Sequence, residues 1–577
     1  MKKNYRVVNH TPKVKNFTAV RNVAEFADAI AARGDKCALV WKYEDVKYEL
    51  SYRGFYEKIT NFAAGIKKLS AEKGYESGTR IALVGDNCGE WLAAYLGIIY
   101  SGNTVVPMDK EVSPEETEKF LESVDAKMII YSDTFNKRFS SLPSTHKSIE
   151  VLIPMHCTDK YAAADGVVRY SDVEEAGKAV NLECGVLRGD TDEERCCEML
   201  FTSGTTGSSK CVMLCQRNIF SVVTSACETI SGDDQDVLVS VLPVHHTYAL
   251  AVILIAMDLG MKICINDSLK HVMNDFKEYH PTILALVPLF VETIYKKIIT
   301  EAKKTGQYKK LRIGMAVTHA LSFFGIDLSE KLFAQVRESL GGSLRTIISG
   351  GAALNPAMIP FFENFGISIY EGYGITECSP LVSVTPVDKR KCGSVGPSIS
   401  SCEVRIDENG VIDDGNRLGE IQVKGKNVML GYHNNPAANA EVFSFDGWFG
   451  TGDIGYIDED GYIFITGRKK NVIVLENGKN VFPEEIEEYL SKIDMIAESV
   501  VIGREDDEGH VTLTSVIYPA YDKYSSMDAD TLHSAIEKEI AALNKKVPTF
   551  KRIRKIEFRD TPFEKTTTKK IKRHLVK

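Results

Sequence analysis

The sequence predicts an α/β protein with a large N-terminal domain of parallel and mixed sheets flanked by helices, a β-rich subdomain and a small α/β C-terminal domain. Helical and strand patterns alternate over residues 24–133, and the alternation resumes over residues 236–348. From about Cys402 the pattern changes to short alternating strands, and a helix-containing unit follows Gly467–Asn471. Alternation of strands and helices is typical of sheets covered by helices.

The first alternating stretch gives the clearest elements. Apolar residues recur at helical spacing over Phe55–Leu69, and the apolar run Arg80–Gly85 then reads as a buried strand that enters a turn. The following elements are a helix at Trp91–Tyr100, a strand at Thr104–Pro107, a helix at Pro114–Val124 and a strand at Met128–Tyr131. This order favours a parallel sheet.

Three further strands are predicted in the second stretch, at Asp236–Val241, Thr282–Val287 and Leu344–Ile348. The last of them runs into Ser349, Gly350, Gly351 and Ala352. Two glycines at the carboxyl edge of a parallel sheet let a flat ring lie against the backbone. A tight turn has the same composition, so the residues alone leave both interpretations open.

The C-terminal part has shorter elements. Strands are predicted at Gly419–Val423 and Gly461–Ile465, and Gly467–Asn471 marks a boundary. A helix is predicted to begin near Pro483, because proline fits the first helical turn and Glu484 and Glu485 beside it favour the helix N-terminus.

Length and composition restrict the class of protein. A chain of 577 residues is too long for one core, and about two to four structural units are expected. The net charge of −9 gives no indication of nucleic-acid binding. The thirteen cysteines form no Cys-x-x-Cys pair. Since no signal peptide is recognised, free thiols in a reducing cytoplasm are expected.

No segment is predicted to cross a membrane. The longest apolar run, Tyr248–Met257, stops at Asp258 and is too short to span a bilayer. Peripheral contact with a membrane is left open.

A loop rich in glycine and hydroxyl residues follows the apolar run Met199–Phe201. It consists of Thr202, Ser203, Gly204, Thr205, Thr206, Gly207, Ser208, Ser209 and Lys210. Glycines allow several backbone N–H groups to point at one anion, and the hydroxyls and the lysine add donors and charge, so the loop suits phosphate. It is not a Walker A sequence, because Ser209 precedes Lys210 and Cys211 follows. On composition alone a plain surface loop is the alternative.

Four more motifs follow this loop in a fixed order: Tyr370–Glu377, Gly447–Asp453, Gly467–Lys470 and Lys565–Arg573. Together the five motifs resemble those of the adenylate-forming superfamily, which includes acyl-CoA synthetases, luciferases and peptide-synthetase adenylation domains. The resemblance extends from about Val23 to the C-terminus.

The resemblance implies a two-step reaction and a role for each motif. Such enzymes join a carboxylate to the α-phosphate of ATP, release pyrophosphate, and pass the acyl group to a thiol. Residues 202–210 would hold the leaving phosphates, and Thr376 would contact the α-phosphate. Glu377 would bind Mg²⁺ as a hard oxygen ligand.

The same resemblance implies a nucleotide pocket and catalytic groups. Gly350, Gly351, Ala352, Tyr373 and Gly374 would form the adenine slot, and Asp453, assisted by Arg468, would bind the ribose hydroxyls. His246 would lie beside the reacting carboxylate. Lys570 would be the catalytic lysine, with Lys569 as the alternative register, because relatives usually have glycine before that lysine.

The implied domain division is an adenylation domain at residues 1–467, a hinge at 468–472 that includes Lys470, and a small mobile domain at 473–577. The relatives that the chain most resembles are long-chain fatty-acid CoA ligases. Thr247 stands where amino-acid-activating relatives place an aspartate, and the apolar stretches Tyr248–Met257 and Ala320–Ile326 suit an acyl tail, although a core helix would have the same composition.

The expected function is therefore ATP- and Mg²⁺-dependent conversion of a medium- or long-chain fatty acid and CoA to acyl-CoA. An acyl ligase that loads a separate acyl carrier protein is the alternative within this class. A non-catalytic acyl or nucleotide sensor is the alternative from another class.

Overall fold

The structure is a computed structural model that describes residues 17–44, 46–142, 146, 148–156, 166–202, 209–322, 328–407, 411–413, 416–475, 480–505, 511–565 and 571–576. It has two large sheets, a smaller antiparallel sheet and a C-terminal unit with sheets of its own.

The largest sheet contains eight described strands. Its six central strands are parallel, and the two edge strands are antiparallel to their neighbours. In spatial order the strands are Leu381–Val384, Ser368–Gly374, Thr346–Gly350, Ile283–Leu286, Val237–Ser240, Lys262–Ile265, Cys37–Tyr43 and Val46–Ser51.

The second large sheet contains seven described strands and is also mixed. Five of these strands are parallel to one another. Two antiparallel strands complete one edge: Lys210–Cys215, which forms a hairpin with Cys196–Thr202, and the two-residue strand Gly431–Tyr432. In spatial order the strands are Gly431–Tyr432, Lys210–Cys215, Cys196–Thr202, Thr104–Met108, Arg80–Val84, Met128–Ser132 and Val151–Met155.

One hydrophobic core joins the two large sheets. Alternate residues of each strand face it: Ile81 and Leu83 of one sheet and Leu238 and Ile263 of the other belong to the same cluster. Because successive side chains of a strand point to opposite faces, Ala82 and Val239 join separate outer cores. The helices that contribute most to the shared core are Val23–Ala31, Tyr52–Glu72, Gly89–Tyr100, Gln216–Thr229 and Thr247–Asp258.

Other helices cover the outer faces of the sheets or lie in connections. Their bounds are Pro114–Ser123, Asn136–Phe139, Tyr170–Cys184, Val272–Tyr279, Pro288–Lys304, Tyr308–Ser322, Ser329–Leu332, Ala334–Ser339, Met358–Glu363 and Pro436–Val442. Single 3₁₀ turns occur at Asp133–Phe135, Thr376–Cys378, Lys469–Asn471, Thr549–Lys551 and Arg573–Leu575.

The β-rich part is an antiparallel sheet. Its strands are Cys402–Ile406, Val411–Asp413, Asn416–Gly425, Phe449–Ile457 and Ile463–Arg468.

The C-terminal unit has its own core, formed by residues such as Ile486, Leu490 and Ile536. Its helices are Pro483–Ser491 and Ala529–Asn544, and its strands are Ile473–Val474, Asn480–Val481, Ile496–Glu505, Val511–Pro519 and Lys555–Phe558.

The predicted α/β class is confirmed, and each predicted element lies on or overlaps an observed one. Tyr248–Met257 lies within a helix that is buried almost throughout, so this run is a core helix and gives no support for an acyl-binding surface. Residues 323–326 of the second proposed apolar stretch lie outside the described residues.

None of the described helices combines the length and the apolar character needed to cross a membrane. All twelve cysteines in the described part of the chain are free.

Candidate active site

The carboxyl edge of the eight-stranded sheet brings several predicted site residues together. The strands Val237–Ser240, Ile283–Leu286, Thr346–Gly350 and Ser368–Gly374 are parallel neighbours in this sheet, so the segments that follow them leave at the same edge. These segments carry His246, Gly351 and Ala352, and Thr376 and Glu377.

The Gly-Gly segment forms a shelf over the half-buried Tyr248, and it passes from the buried Gly350 to the exposed Gly351. The Tyr248 hydroxyl donates to the carbonyl oxygen of Ile348 at 3.0 Å. A Cβ on Gly350 would lie 3.2 Å from the Tyr248 ring, so the ring closes the space beneath the backbone. Gly351 has φ +84° and is exposed together with Ala352. A planar group could therefore approach this backbone from the solvent side.

Gly374 is required by a close backbone approach. A Cβ at this position would lie 1.7 Å from the carbonyl oxygen of Pro380. Any side chain here would displace the antiparallel strand Leu381–Val384, which pairs with Gly374. The glycine thus fixes the path into the 3₁₀ turn Thr376–Cys378, on which Thr376 and Glu377 lie half-buried.

Asp453 lies between two partners from different strands. Its Oδ2 accepts a hydrogen bond from the Tyr373 hydroxyl at 2.8 Å, and its Oδ1 is 2.8 Å from Nε of Arg468. Strand pairing places Arg468 directly opposite Asp453. Burial, and next the Asp453 charge, raise the pKa of Tyr373 well above its ordinary value, so the hydroxyl stays protonated and donates. Three predicted nucleotide-binding residues therefore meet.

A second carboxylate orders the neighbouring backbone. Glu420 accepts a hydrogen bond from the backbone N–H of Gly452 at 3.0 Å and pairs with the Lys469 ammonium at 2.7 Å. It thus connects the backbone just before Asp453, within the strand Phe449–Ile457, to the 3₁₀ turn that follows Arg468.

Tyr432 connects the predicted metal-binding acid to Lys210, at the end of the predicted phosphate loop. Its hydroxyl donates to Oε1 of Glu377 at 2.9 Å, and Nζ of Lys210 lies 4.6 Å from the centre of its ring. Burial, and next the Glu377 charge, raise the pKa of Tyr432, which keeps it a donor. A cation and an anion from distant parts of the sequence are thus held on one aromatic ring.

The two ends of the loop are fixed by strand pairing. Thr202 pairs with Lys210 across the hairpin, and the Thr202 hydroxyl donates to the Lys210 carbonyl oxygen at 3.3 Å. Ser203, Gly204, Thr205, Thr206 and Gly207 lie outside the described residues.

His246 stands at the N-terminus of the helix Thr247–Asp258. Its ring centroid is 4.2 Å from that of His245, and Nε2 of His245 is 3.6 Å from Oδ2 of Asp109. Asp109 directly follows the strand Thr104–Met108 of the other large sheet. The histidine pair therefore lies where the two sheets approach each other.

One acid in this region titrates near neutral pH. Burial raises the pKa of Glu371 to about 7. It lies in the strand Ser368–Gly374, opposite Ser349, and its backbone N–H donates to the Thr385 hydroxyl. A carboxyl with this pKa carries only part of its negative charge at neutral pH.

The remaining predicted residues lie at the C-terminal boundary or beyond. Lys470 is the middle residue of the 3₁₀ turn Lys469–Asn471, between the strand Ile463–Arg468 and the C-terminal unit. Lys569 and Lys570 lie outside the described residues.

Sequence reasoning missed Tyr432, Tyr248 and Glu420. Each acts through a contact to a residue more than thirty positions away, and none lies within the segments that carried the resemblance. Tyr248 was visible in the sequence only as part of an apolar run.

Comparisons with known proteins cover almost the whole chain. Residues 26–433 match the family described as AMP-binding enzyme, and residues 470–577 match the AMP-binding enzyme C-terminal domain.

Among curated proteins, the chain is similar to a long-chain-fatty-acid–[acyl-carrier-protein] ligase, AEE15, chloroplastic, of Arabidopsis thaliana. The two are 28% identical over 566 residues, covering 86% of this chain and 76% of the relative. A long-chain-fatty-acid–CoA ligase, FadD15, of Mycobacterium bovis is 27% identical over 549 residues, covering 87% of each.

Among solved structures, the anthranilate CoA ligase AuaEII in complex with anthranoyl-AMP superposes with a TM-score of 0.75. It is 20% identical and covers 98% of this chain and 97% of its own. At this identity the similarity shows a shared fold.

Proposed function

Because this chain belongs to the AMP-binding enzyme family, we propose that it activates a medium- or long-chain fatty acid and transfers it to CoA. A carboxylate oxygen of the acid attacks the α-phosphorus of ATP, and pyrophosphate leaves. The thiolate of CoA then attacks the acyl carbon of the acyl-adenylate, and AMP leaves.

The meeting of Lys210 and Glu377 on Tyr432 is the observation that best supports this chemistry. The substrate of the first step is a metal-bound polyphosphate, which needs a cation for its oxygens and a carboxylate for its metal. Both groups occur here beside the glycine-rich loop.

We assign the nucleotide to the carboxyl edge of the eight-stranded sheet. Adenine would lie on Gly350, Gly351 and Ala352, bounded by Tyr373 and Gly374. The ribose hydroxyls would reach the Asp453 carboxylate, which Tyr373 and Arg468 already orient. Thr376 would donate to the α-phosphate, and Thr202 and Lys210 would position the leaving phosphates with the rest of the loop.

Glu377 suits Mg²⁺, because carboxylate oxygen is a preferred ligand of this hard cation. Tyr432 binds Oε1, and within the described residues no hydrogen bond engages Oε2. A metal held there would neutralise phosphate charge during adenylation. The roles of the chain itself are to orient the carboxylate through Tyr432 and to supply the Lys210 charge.

His246 and Lys570 would serve the acid. We place the fatty-acid carboxylate beside His246, where the two large sheets approach each other. Lys570 would neutralise charge on the carboxylate and α-phosphate as they meet. Lys569 remains the alternative register.

The acid class is proposed from two lines of support. The relatives described above are named as ligases of long-chain fatty acids. Thr247 offers no anion for an amino-acid ammonium at the position next to His246.

The acceptor has two candidates, because CoA and a holo acyl carrier protein present the same pantetheine thiol. The similarity to an acyl-carrier-protein ligase favours including the second one. A non-catalytic sensor is the alternative of another class, and the described Glu377, Asp453 and Arg468 argue against it.

The test is pyrophosphate release from ATP and Mg²⁺ with a panel of acids from acetate to oleate, each with CoA or holo carrier protein as acceptor. The proposal predicts the fastest release with acids of about ten carbons or more and thioester formation on CoA. No release with any acid would favour the sensor, and thioester on the carrier protein alone would make that the acceptor.

A further inference from the structure

The helix Tyr308–Ser322 presents an apolar surface to solvent. Leu311 and Thr318 are buried on the face that packs against the protein. Ile313, Ala316, Val317 and Ala320 are exposed instead, and the side chain of Ile313 is 65% exposed.

These four exposed residues lie at positions i, i+3, i+4 and i+7 of the helix, which places them on one face. That face is nearly opposite Leu311 and Thr318, since residues of a helix are spaced by about 100°. The exposed apolar stripe, residues 313, 316, 317 and 320, is therefore separate from the core.

A cluster of cations lies at the N-terminal end of the stripe. Lys309, Lys310 and Arg312 are exposed on the same helix, and Lys303 and Lys304 are exposed at the end of the helix Pro288–Lys304. Within the described residues none of these five cations has an ion-pair partner. The chain as a whole carries a net charge of −9, so the local positive charge of this basic cluster is opposite in sign to the net charge of the protein.

We propose that the helix Tyr308–Ser322 docks the protein on the surface of an anionic phospholipid bilayer. The exposed apolar stripe would enter the boundary between headgroups and acyl chains, and the basic cluster would bind lipid phosphates. At 15 residues the helix is too short to span a bilayer, so it lies in the plane of the interface.

Charge favours a membrane over a second copy of the chain as the partner. A second copy that met the stripe face to face would bring the same apolar stripe and the same five cations, with Glu301 as the one exposed acid of these two helices. An anionic lipid surface satisfies both features together, because it offers apolar volume beneath a layer of negative charge.

The helix is connected to the edge of the sheet that carries the candidate active site. The preceding helix begins at Pro288 beside the shelf, since a Cβ on Gly351 would lie 3.9 Å from the Val287 side chain. Leu289 at that end is 55% exposed. Only residues 305–307 separate the two helices, so the docking helix follows directly on the helix that begins at this edge.

The test is sedimentation of the full chain with vesicles of phosphatidylcholine alone or mixed with phosphatidylglycerol. We expect partitioning to the anionic vesicles to exceed that to neutral vesicles by about tenfold or more, and to fall as salt is added. Equal partitioning to both vesicle types, or to neither, would overturn the proposal.

Two variants separate the apolar and the charged contributions. Ile313→Gln with Val317→Gln should weaken binding by about tenfold or more, because two apolar side chains that would enter the bilayer are lost. Lys309→Gln with Lys310→Gln should weaken it by about fivefold per charge. The matched controls are Leu182→Gln, at an exposed leucine of the helix Tyr170–Cys184, and Lys67→Gln with Lys68→Gln, at exposed lysines of the helix Tyr52–Glu72. If the stripe and basic-cluster variants lose no more vesicle binding than the controls do, this helix is not the membrane-docking surface.

Insertion depth distinguishes a membrane from self-association. The native tryptophans Trp41, Trp91 and Trp448 are buried, so Val317→Trp adds an exposed reporter. Its emission should shift to the blue on anionic vesicles and be quenched by brominated lipid. If sedimentation velocity instead shows a dimer that Ile313→Gln dissociates, the stripe is an interface between copies and the proposal fails.

Discussion

Glu377 presents a carboxylate whose orientation is set by one hydrogen bond from Tyr432. We predict that Glu377→Gln lowers turnover by about 10²-fold or more at ordinary Mg²⁺, because the amide keeps the shape of the side chain but removes the charge that a hard cation needs. Steady-state pyrophosphate release over a Mg²⁺ series checks this. The free energy of unfolding should change by less than about 1 kcal/mol, since the side chain is half-buried and the amide oxygen can still accept.

Tyr432→Phe is the matched variant. It removes the hydroxyl and keeps the carboxylate, so the loss should be mild and the Mg²⁺ dependence should be retained. Near-normal turnover of Glu377→Gln would defeat the metal assignment.

Tyr373 is one of the two partners described above that orient the Asp453 carboxylate. Tyr373→Phe should raise KM for ATP by about tenfold, because a buried carboxylate loses a hydrogen bond worth about 1–3 kcal/mol. Initial rates at varied ATP test this. Tyr370→Phe on the same strand is the control, since its ring contacts Arg390 instead. An equal effect of both variants would show that the hydroxyl contact to Asp453 is unimportant.

At the residue scale, the sequence supplied the residues of the motifs but not their partners. Glu377, Asp453 and Tyr373 stand in short segments with a recognisable order. Tyr432 has no such setting, because its role arises from a strand of two residues that pairs with Val212 and Met213. A contact of this kind depends on tertiary packing and leaves no periodic pattern.

The 3₁₀ turn Lys469–Asn471 is the element on which the proposed hinge depends. Lys470→Pro should leave acyl-adenylate formation within about threefold of the parent while slowing thioester formation by about tenfold or more, because proline fixes φ and restricts the swing of the C-terminal unit. Single-turnover assays of each half-reaction provide the measurement.

Lys470→Ala controls for loss of the side chain and should affect neither step strongly. Equal loss of both steps in the proline variant would count against a hinge at this position.

The strand Cys196–Thr202 contains a carboxyl that titrates in an accessible range. Burial raises the pKa of Glu198 to about 8, and the Tyr95 hydroxyl opposes this more weakly. The folded state therefore holds the proton more tightly than the unfolded state. The resulting stabilisation is complete below the ordinary value of about 4.5 and is lost as pH rises through 8, by up to about 1.4 kcal/mol per pH unit.

Glu198→Gln should remove this slope, so its Tm should fall less than that of the parent between pH 5 and about pH 8. Thermal unfolding across this range checks the prediction. Glu403→Gln, at an exposed strand position, should retain the parental slope. Parallel curves for the parent and Glu198→Gln would contradict it.

Element interiors were predictable, but several boundaries were not. The strand predicted at Gly461–Ile465 begins at Ile463, and the one predicted at Leu344–Ile348 begins at Thr346. Strand ends depend on partners in the sheet, which sequence does not display. Composition also left the run Tyr248–Met257 ambiguous, because a helix buried on all sides is apolar all around.

The prediction for the whole molecule is that Lys570 takes part in adenylation and not in thioester formation. If this lysine serves adenylation alone, Lys570→Ala should lower pyrophosphate release by about 10²–10³-fold. Given synthetic acyl-adenylate and CoA, the variant should form thioester at nearly the parental rate.

Lys569→Ala controls for the register and should be mild in both assays. If Lys569→Ala instead shows the large loss of pyrophosphate release, Lys569 is the catalytic lysine. If Lys570→Ala slows adenylation and thioester formation equally, the lysine does not serve adenylation alone.

The α/β class and the chain order of elements could be predicted, whereas the spatial order of strands could not. Alternating helical and strand periodicity reveals the class. It does not reveal that Cys37–Tyr43 pairs with Lys262–Ile265. It also does not reveal that Gly431–Tyr432 pairs with Lys210–Cys215 at the edge of the seven-stranded sheet. Such pairings are decided by packing over long separations in sequence.

This strand order has a consequence for biosynthesis. Leu39 leaves the ribosome about two hundred residues ahead of its partner Ile263, and Met213 precedes its partner Gly431 by a similar interval. Neither large sheet can close until nearly the whole N-terminal region has been translated. The nascent chain therefore carries unpaired apolar strands for much of its synthesis, and we expect these edges to be prone to aggregation until their partners emerge.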